Sequence, residues 1–463
     1  MRRIDDLALI RSTIVEEPWV WVAGLGLFLA TLDTGIINIA LPTLQNAWHA
    51  TAAAAAWTVI AYTLALAGTV LFWGRLADHI GADRLFGLGL GLFALASAAC
   101  GAAPSLAWLV GARAAQGLGS AMIQGTAAAL ITTRLPEAAR TRAIGTLALF
   151  QGLGPVIGPT VGGLLLAGFT WRSLFWVNLP VTVPLGMWAM RHGSAIRRRS
   201  ADIRALDAVG QALLLTMVVA ALLALTEHGA ARDFWLALML RSGGTLVWWE
   251  RRAPTPLMPH NLTAPLAFWS AVAAMLIVGG ATSLGFMVPP YMLQQSRSLR
   301  PWQIGLINMS APAMLVLFSR RASRLIGPLP PLLLMTTGLG LMAGAFVLLA
   351  IIVRDPAITM TVASLGIYGI GAALFFPSNL AGLLSSVGSE AHGRVGALQR
   401  LSINLGTAVD VAIVGTTLAW GKASAHAVTT VGIRLSWLWG AGTLILAGLL
   451  TSFVAMYSRS HQV

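Results

Sequence analysis

The sequence predicts an all-α polytopic membrane protein, and three observations carry that prediction. Of 463 residues, 57% are hydrophobic and only 10% are charged. Mean hydropathy is +0.78. The apolar residues also fall in long runs of about 20, the number that crosses a hydrocarbon layer about 30 Å thick at about 1.5 Å per residue. A soluble fold of this length needs a polar shell that the chain cannot supply. Lipid offers the backbone no hydrogen bonds, so the runs must be helices; a barrel would show short alternating strands.

Fourteen runs can be read in order. They begin near Trp19, Ala53, Leu85, Ser105, Ala143, Ser173, Leu206, Asp233, Ala267, Trp302, Pro330, Ile358, Val395 and Arg434. The first is longer than a signal-peptide core and lacks a cleavage context, so it reads as a retained span. The run near Asp233 is the most polar, with Arg241 and a Gly-Gly pair inside it. Tryptophans gather at run ends (Trp19, Trp21, Trp48, Trp171, Trp302 and Trp420), as an interface belt requires.

Charge gives the orientation. The net charge of +14 comes almost wholly from arginine, since Lys422 is the only lysine. In a soluble protein a pI near 11.5 would suggest nucleic acid. Here the basic residues sit in short loops, and no nucleic-acid partner is expected. Taking the N-terminus as cytoplasmic, 21 of the 30 Lys and Arg fall on its side, seven fall on the other, and Arg113 and Arg241 lie within spans. That asymmetry predicts both termini in the cytoplasm and a multi-pass place in a bacterial cytoplasmic (inner) membrane. The basic cluster "RHGSAIRRRS" (Arg191 to Ser200) reads as a topology signal facing anionic lipid.

Several chemistries are not expected. Cys100 is the only cysteine, so there is no internal disulfide and no thiol metal cluster. No His, Cys, Asp or Glu grouping has metal spacing, and there is no phosphate-cradling glycine loop. The expectation is a protein with no metal and no cofactor that is not an enzyme. Any work it does draws on an ion gradient rather than on ATP bound by this chain.

A short echo divides the chain. "GRLADHIG" (Gly74 to Gly81) follows the second run and "RRASRLIG" (Arg320 to Gly327) follows the tenth. Arg75 and Arg321, Ile80 and Ile326, and Gly81 and Gly327 correspond. Equivalent loops in two six-span sets predict residues 1–192 as one six-helix bundle, 193–264 as a basic loop with an inserted helix pair, and 265–463 as a second bundle. Related halves with a site between them near the midplane are the architecture of secondary transporters.

Four stretches, in order and at the right spacing, resemble the major facilitator superfamily, specifically its fourteen-span drug:proton antiporter branch of multidrug efflux transporters. They are "LDTGIINIALP" (Leu32 to Pro42), "GRLADHIG", "LVGARAAQGLGSA" (Leu109 to Ala121) and "GLGPVIGPTVGG" (Gly152 to Gly163). The resemblance covers nearly the whole chain. It implies the major facilitator fold, a gating loop carried by Gly74, Asp78, Gly81 and Arg84, and an antiporter motif in helix 5 carried by Gly154, Pro155, Gly158, Pro159, Gly162 and Gly163. The loop departs from the family pattern: His79, Ala82 and Asp83 stand where basic residues are usual, and Arg324 takes the aspartate position of the second-half loop.

The intramembrane charges invite the sharpest reading, because a charge in the bilayer costs about 2.5–3.5 kcal/mol or more. Asp33 lies about 21 Å along the first helix, and Arg113 about 12 Å in from the opposite face. These depths nearly coincide, so Asp33 and Arg113 are expected to interact and to serve proton coupling, a static structural pair being the alternative. Asp410 is a second intramembrane acid, expected to bind cationic substrate or a second proton; a local hydrogen-bonded acid near Asn404 is the alternative. Asp78, at the end of the second helix, reads as a gate or as a solvated loop charge. Gly154, Gly158 and Gly162 share one helix face, where close packing and pivoting overlap as readings.

Together these predict a proton-coupled exporter of hydrophobic, cationic drugs or toxic small molecules working by alternating access. The alternative is a proton-coupled exporter of one specific metabolite or natural product. A non-transporting receptor would not need buried acids with two related halves, and a polytopic enzyme would need a polar catalytic cluster that the sequence does not show. The expected partners are a lipophilic small molecule, protons and the lipid bilayer. The expected state is a monomer, and an envelope adaptor is left open.

Overall fold

The computed structural model describes residues 18–193, 207–227, 229–253, 266–325, 328–386, 392–418 and 428–460. Sixteen helices account for most of them: α1 (Pro18–Ala47), α2 (Ala52–Ile80), α3 (Ala82–Gly101), α4 (Leu106–Arg134), α5 (Glu137–Gly168), α6 (Ser173–Trp176), α7 (Leu179–His192), α8 (Ala208–Thr226), α9 (Gly229–Glu250), α10 (Leu266–Arg297), α11 (Pro301–Asn308), α12 (Ser310–Leu325), α13 (Pro331–Ile352), α14 (Ile358–Ser385), α15 (His392–Leu418) and α16 (Thr430–Ser460). No β-strand occurs among the described residues.

Local chemistry sets the boundaries. Thr51, Ser105 and Asp207 each accept a backbone N–H of the first turn of α2, α4 and α8, which satisfies donors that a helix start leaves open. Between α2 and α3 the turn is a single residue, Gly81, with φ +98°, a conformation that costs a side chain dearly. The sequence reads spans six and ten as continuous, but the structure breaks them. α6 gives way to α7 at Val177 and Asn178 just before Pro180, and α11 gives way to α12 at Met309.

Ten of these helices or helix pairs are long and apolar enough to cross a bilayer, and α5, bent by 44° near Pro155, makes eleven. The fourteen expected passes exceed that count for a physical reason. α4 carries Arg113, Gln116 and Gln124 along its length, α9 carries Arg232, Asp233, Arg241 and Glu250, and α8 is short.

Packing repeats along the chain. α1 lies on α5, α2 on α4, and α3 on both α4 and α7. In the later helices α10 lies on α15, α12 on α14, and α13 on both α14 and α16. α8 and α9 lie against each other, and α8 also touches α2 and α15. The two sets meet where α5 touches α11, where α2 touches α15 and where α1 touches α10. The tightest of these meetings cluster at one end, remote from Pro18. A Cβ built on Gly163 would lie 2.7 Å from Pro301 O, and one built on Gly415 would lie 3.0 Å from Ala53 Cα.

Candidate functional site

Five helices of the first set converge on Asp33. Its position on α1 buries it to 2% exposure, and Arg113 of α4, 0% exposed, forms an ion pair with its Oδ2. Oδ1 accepts from Gln116 Nε2 at 2.9 Å and from Asn178 Nδ2 at 3.1 Å. Gln116 follows Arg113 by three residues, so one face of α4 delivers both. The amide of Gln116 also donates to Ser97 Oγ at 2.9 Å and accepts from Arg113 Nη1 at 2.7 Å.

Arg113 is held from other directions too. Nε donates to Thr58 O at 2.9 Å. The guanidinium lies 4.3 Å from the centre of the Tyr62 ring. Tyr62 is fixed in turn by donating to Ala30 O and sharing a 2.7 Å bond with Ser120 Oγ. These bonds offset much of the cost of burying the pair, since desolvation of two ions costs several kcal/mol each without them, although Arg113 Nη2 is buried with no hydrogen-bond partner.

The glycine face of α5 seats this site. A Cβ on Gly154 would lie 2.6 Å from Leu32 N, and one on Gly158 would lie 2.8 Å from Gly35 Cα. Gly162 meets Ile36 and Ile39 in the same way. These contacts bracket Asp33 on α1, so α5 and the carboxylate-bearing turn of α1 are in backbone contact. Gly163 turns to α11 instead, while Pro159 meets both helices, its ring 3.3 Å from a Cβ built on Gly35 and its O against Gly305. Pro155 lies beside Gly35 on the inner line between the two faces.

Asp410 belongs to another place. It is 8% exposed on α15 and accepts from Trp439 Nε1 of α16 at 3.0 Å, while its Oδ2 is buried without a hydrogen-bond partner. A Cβ on Gly280 of α10 would lie 2.8 Å from Asp410 Cβ. The structure therefore puts Asp410 in the seam of α10, α15 and α16, and not beside Asp33. Its position has a counterpart. Gly406 and Asp410 of α15 face Leu276 and Gly280 of α10, as Gly154 and Gly158 of α5 face Thr31 and Gly35 of α1. The spacing is four residues in each pair, so Asp410 stands where the first set has Gly158.

The loop motif resolves into separate roles. Gly74 crosses Gly125 of α4, with Gly125 O 3.2 Å from a Cβ built at Gly74. Gly81 makes the turn. Arg84 is exposed. The side chain of Asp78 lies outside the described residues. Asp83, 1% exposed, takes an ion pair with Arg134 Nη2 at 2.8 Å, and Arg134 also stacks 4.8 Å from the Trp19 ring centre. This pair joins the start of α3 to the end of α4. Sequence reading singled out Asp83 only as a departure. The acid at a position usually basic was itself the signal of a reversed charge pair.

Sequence reading also passed over Arg400, which it assigned to the loop before span thirteen. The structure places it eight residues inside α15, with Nη2 donating to Gln151 Oε1 of α5 at 2.7 Å. This bond joins the two packing sets.

Comparison with known proteins places this geometry. The Major Facilitator Superfamily profile matches residues 23–409. Multidrug resistance protein Stp of Mycobacterium tuberculosis is 32% identical over 408 residues, 86% of this chain and 74% of its own length. Riboflavin transporter RibZ of Clostridioides difficile is 26% identical over 468 residues, 97% of this chain and 100% of its own. Among solved structures, a peptide transporter POT in complex with sulfate aligns at TM-score 0.73 and 14% identity, over 95% of this chain and 94% of that one. At that identity the likeness speaks for the fold alone.

Proposed function

The chain belongs to the major facilitator superfamily, and we propose that it exports hydrophobic drugs or toxic small molecules in exchange for protons by alternating access. It is a multi-pass membrane transporter with relatives named for drug resistance. The finer reading rests above all on Asp33, a membrane-embedded carboxylate whose one cationic partner is Arg113. A proton arriving at Asp33 Oδ2 cancels the negative end of the pair. Arg113 then keeps Thr58 O, Gln116 Oε1 and the Tyr62 and Phe175 rings, all neutral. A buried cation among neutral acceptors is costly, and repacking of the first bundle relieves that cost. The backbone contact of α5 with α1 on one face and with α11 on the other carries the repacking to the second bundle.

The bundles are residues 1–192 and 265–463, with 193–264 contributing an inserted pair for fourteen spans in all. Both termini face the cytoplasm, and the membrane is the bacterial inner membrane. In that orientation the tight meetings of α5 with α11 and of α2 with α15 close the outer side. Gly74, Asp78, Gly81 and Arg84 gate the inner side. Asp410 serves as a second proton site within its own seam, and the protein acts as a monomer.

The test is substrate-driven pH change in proteoliposomes, with wild type beside Asp33→Asn. Wild type should move protons when drug is added, and Asp33→Asn should bind drug without moving them. Wild type that transports drug with no proton movement overturns the coupling. The full-length match to a riboflavin transporter favours a second reading, export of one specific metabolite. A compound panel in the same vesicles separates the two by breadth.

A further inference from the structure

Of the two intramembrane acids, Asp33 is paired with Arg113, and Asp410 lies toward Gly280 and Trp439. Arg400 is different. It lies two residues inside the apolar span Leu398–Leu418 of α15. No carboxylate forms an ion pair with it among the described residues, where the pairs are Arg113–Asp33, Arg134–Asp83 and Arg297–Asp355. Among the described residues its one hydrogen bond goes to the neutral amide of Gln151. A guanidinium has five N–H donors in a planar fork, so most of this one is unused.

Direction decides what the fork faces. On α15, Ile403, Gly406 and Asp410 face α10, while Gly415 faces α2. At about 100° per residue, Arg400 projects between those two faces, roughly 80° from Asp410. On α5, Gly154, Gly158 and Gly162 face α1, and Gln151, about 20° from Gly158 at about 100° per residue, lies on that same side. Arg400 and Gln151 thus meet where the two packing sets approach each other.

We propose that Arg400 is the seat for an anionic group on the transported molecule, so that the substrate class is lipophilic compounds bearing a carboxylate or a similar planar anion. This rests on the transport reading above. A lone cation in a bilayer is retained at a cost, and here its other donors form no hydrogen bond among the described residues. A planar anion matches the fork with two parallel bonds, each stronger than a neutral one. Gln151 holds the fork in place until the ligand arrives and yields its bond when the ligand takes it. The charge preference therefore runs opposite to the one that an acid such as Asp410 would set, because that acid faces α10 instead.

The experiment uses the full chain purified in detergent, with carboxyfluorescein as the anionic probe and ethidium as the cationic one. Binding is read by fluorescence anisotropy, and dye movement is then read in proteoliposomes. Wild type should bind carboxyfluorescein. Arg400→Gln should weaken that binding by at least about tenfold, the loss of one charge-assisted contact, and Arg400→Lys should fall between. Ethidium binding should be the same in all three. Gln151→Leu, which removes the competing acceptor, should bind carboxyfluorescein more tightly than wild type, and it keeps the proposal testable if Arg400→Gln does not elute as a single species. Three results each overturn the site: no carboxyfluorescein binding by wild type, equal binding by wild type and Arg400→Gln, or equal loss of both dyes in Arg400→Gln, which would mark a latch between the bundles. Arginine-dependent carboxyfluorescein binding without movement of either dye overturns the transport reading and leaves the anion site standing.

Discussion

Asp33 and Arg113, 80 residues apart in the chain, meet as an ion pair between α1 and α4 with almost no surface left to either. Because Gln116 touches both partners and Asn178 reaches the carboxylate from a third direction, the pair is the centre of a network and cannot be trimmed cheaply.

Removing one end should show this. Asp33→Ala leaves Arg113 buried without a counter-charge, a loss of about 3–5 kcal/mol. Asp33→Ala combined with Arg113→Met should recover most of it. Thermal unfolding of the two single variants and the double in detergent measures the coupling. If the double variant is as unstable as the sum of the singles, the two side chains are energetically independent and the network reading fails.

The α1–α5 contact gives a second prediction. Gly158→Ala puts a methyl 2.8 Å from Gly35 Cα, backbone that cannot turn aside, so stability should fall by about 1–3 kcal/mol through overpacking and transport should slow. Gly152→Ala, on the same helix with nothing within 4 Å, is the control and should be near neutral. Equal behaviour of the two variants in vesicle transport assays would sink the close-contact argument.

In the second set, Trp439→Phe takes away the one donor to Asp410 Oδ1. The expected loss is about 1–3 kcal/mol, because a buried acceptor is stranded. The same substitution in an Asp410→Ala background should cost much less. Denaturation midpoints of the four proteins decide it, and a cost for Trp439→Phe that is independent of Asp410 would mean the ring matters only as packing.

At the α2–α3 turn, Gly81→Ala must hold φ near +98° with a Cβ present, at about 1–3 kcal/mol. Expression level and unfolding temperature should both drop. A stable Gly81→Ala protein would show that the turn can relax to a different path.

The fold was legible because burial in lipid demands long apolar helices, and the run positions track the helices closely. The breaks at Asn178 and Met309 were not legible, since an apolar run looks the same whether its helix is continuous or interrupted. Asp33 and Arg113 could be matched by depth alone. Their supporting shell could be found only in part: Gln116 by its three-residue offset from Arg113, but Ser97 and Asn178 only by tertiary contact. Arg400 was missed for a definite reason. A charge a few residues past a span start such as Val395 counts with the basic flank of the loop, whereas the structure carries Arg400 to Gln151 of the other set. Asp410 was seen, but its direction depends on the angle around α15, which no depth estimate supplies.

The match of Asp410 to Gly158 bears on how such a chain can change over generations. Two copies of one packing plan give an architecture with a spare. The first set has no carboxyl at the Gly154–Gly158 positions of its α1–α5 seam, and the carboxylate beside that seam is answered by Arg113, Gln116 and Asn178. The second copy has admitted a carboxyl into the same seam and found room for it because Gly280 lies opposite. Innovation in charge is therefore cheapest in the later helices, where a substitution does not disturb the network around Asp33. Lineages that acquire new cargoes should carry their differences at positions on α10, α15 and α16, and should hold α1, α4 and α5 nearly fixed.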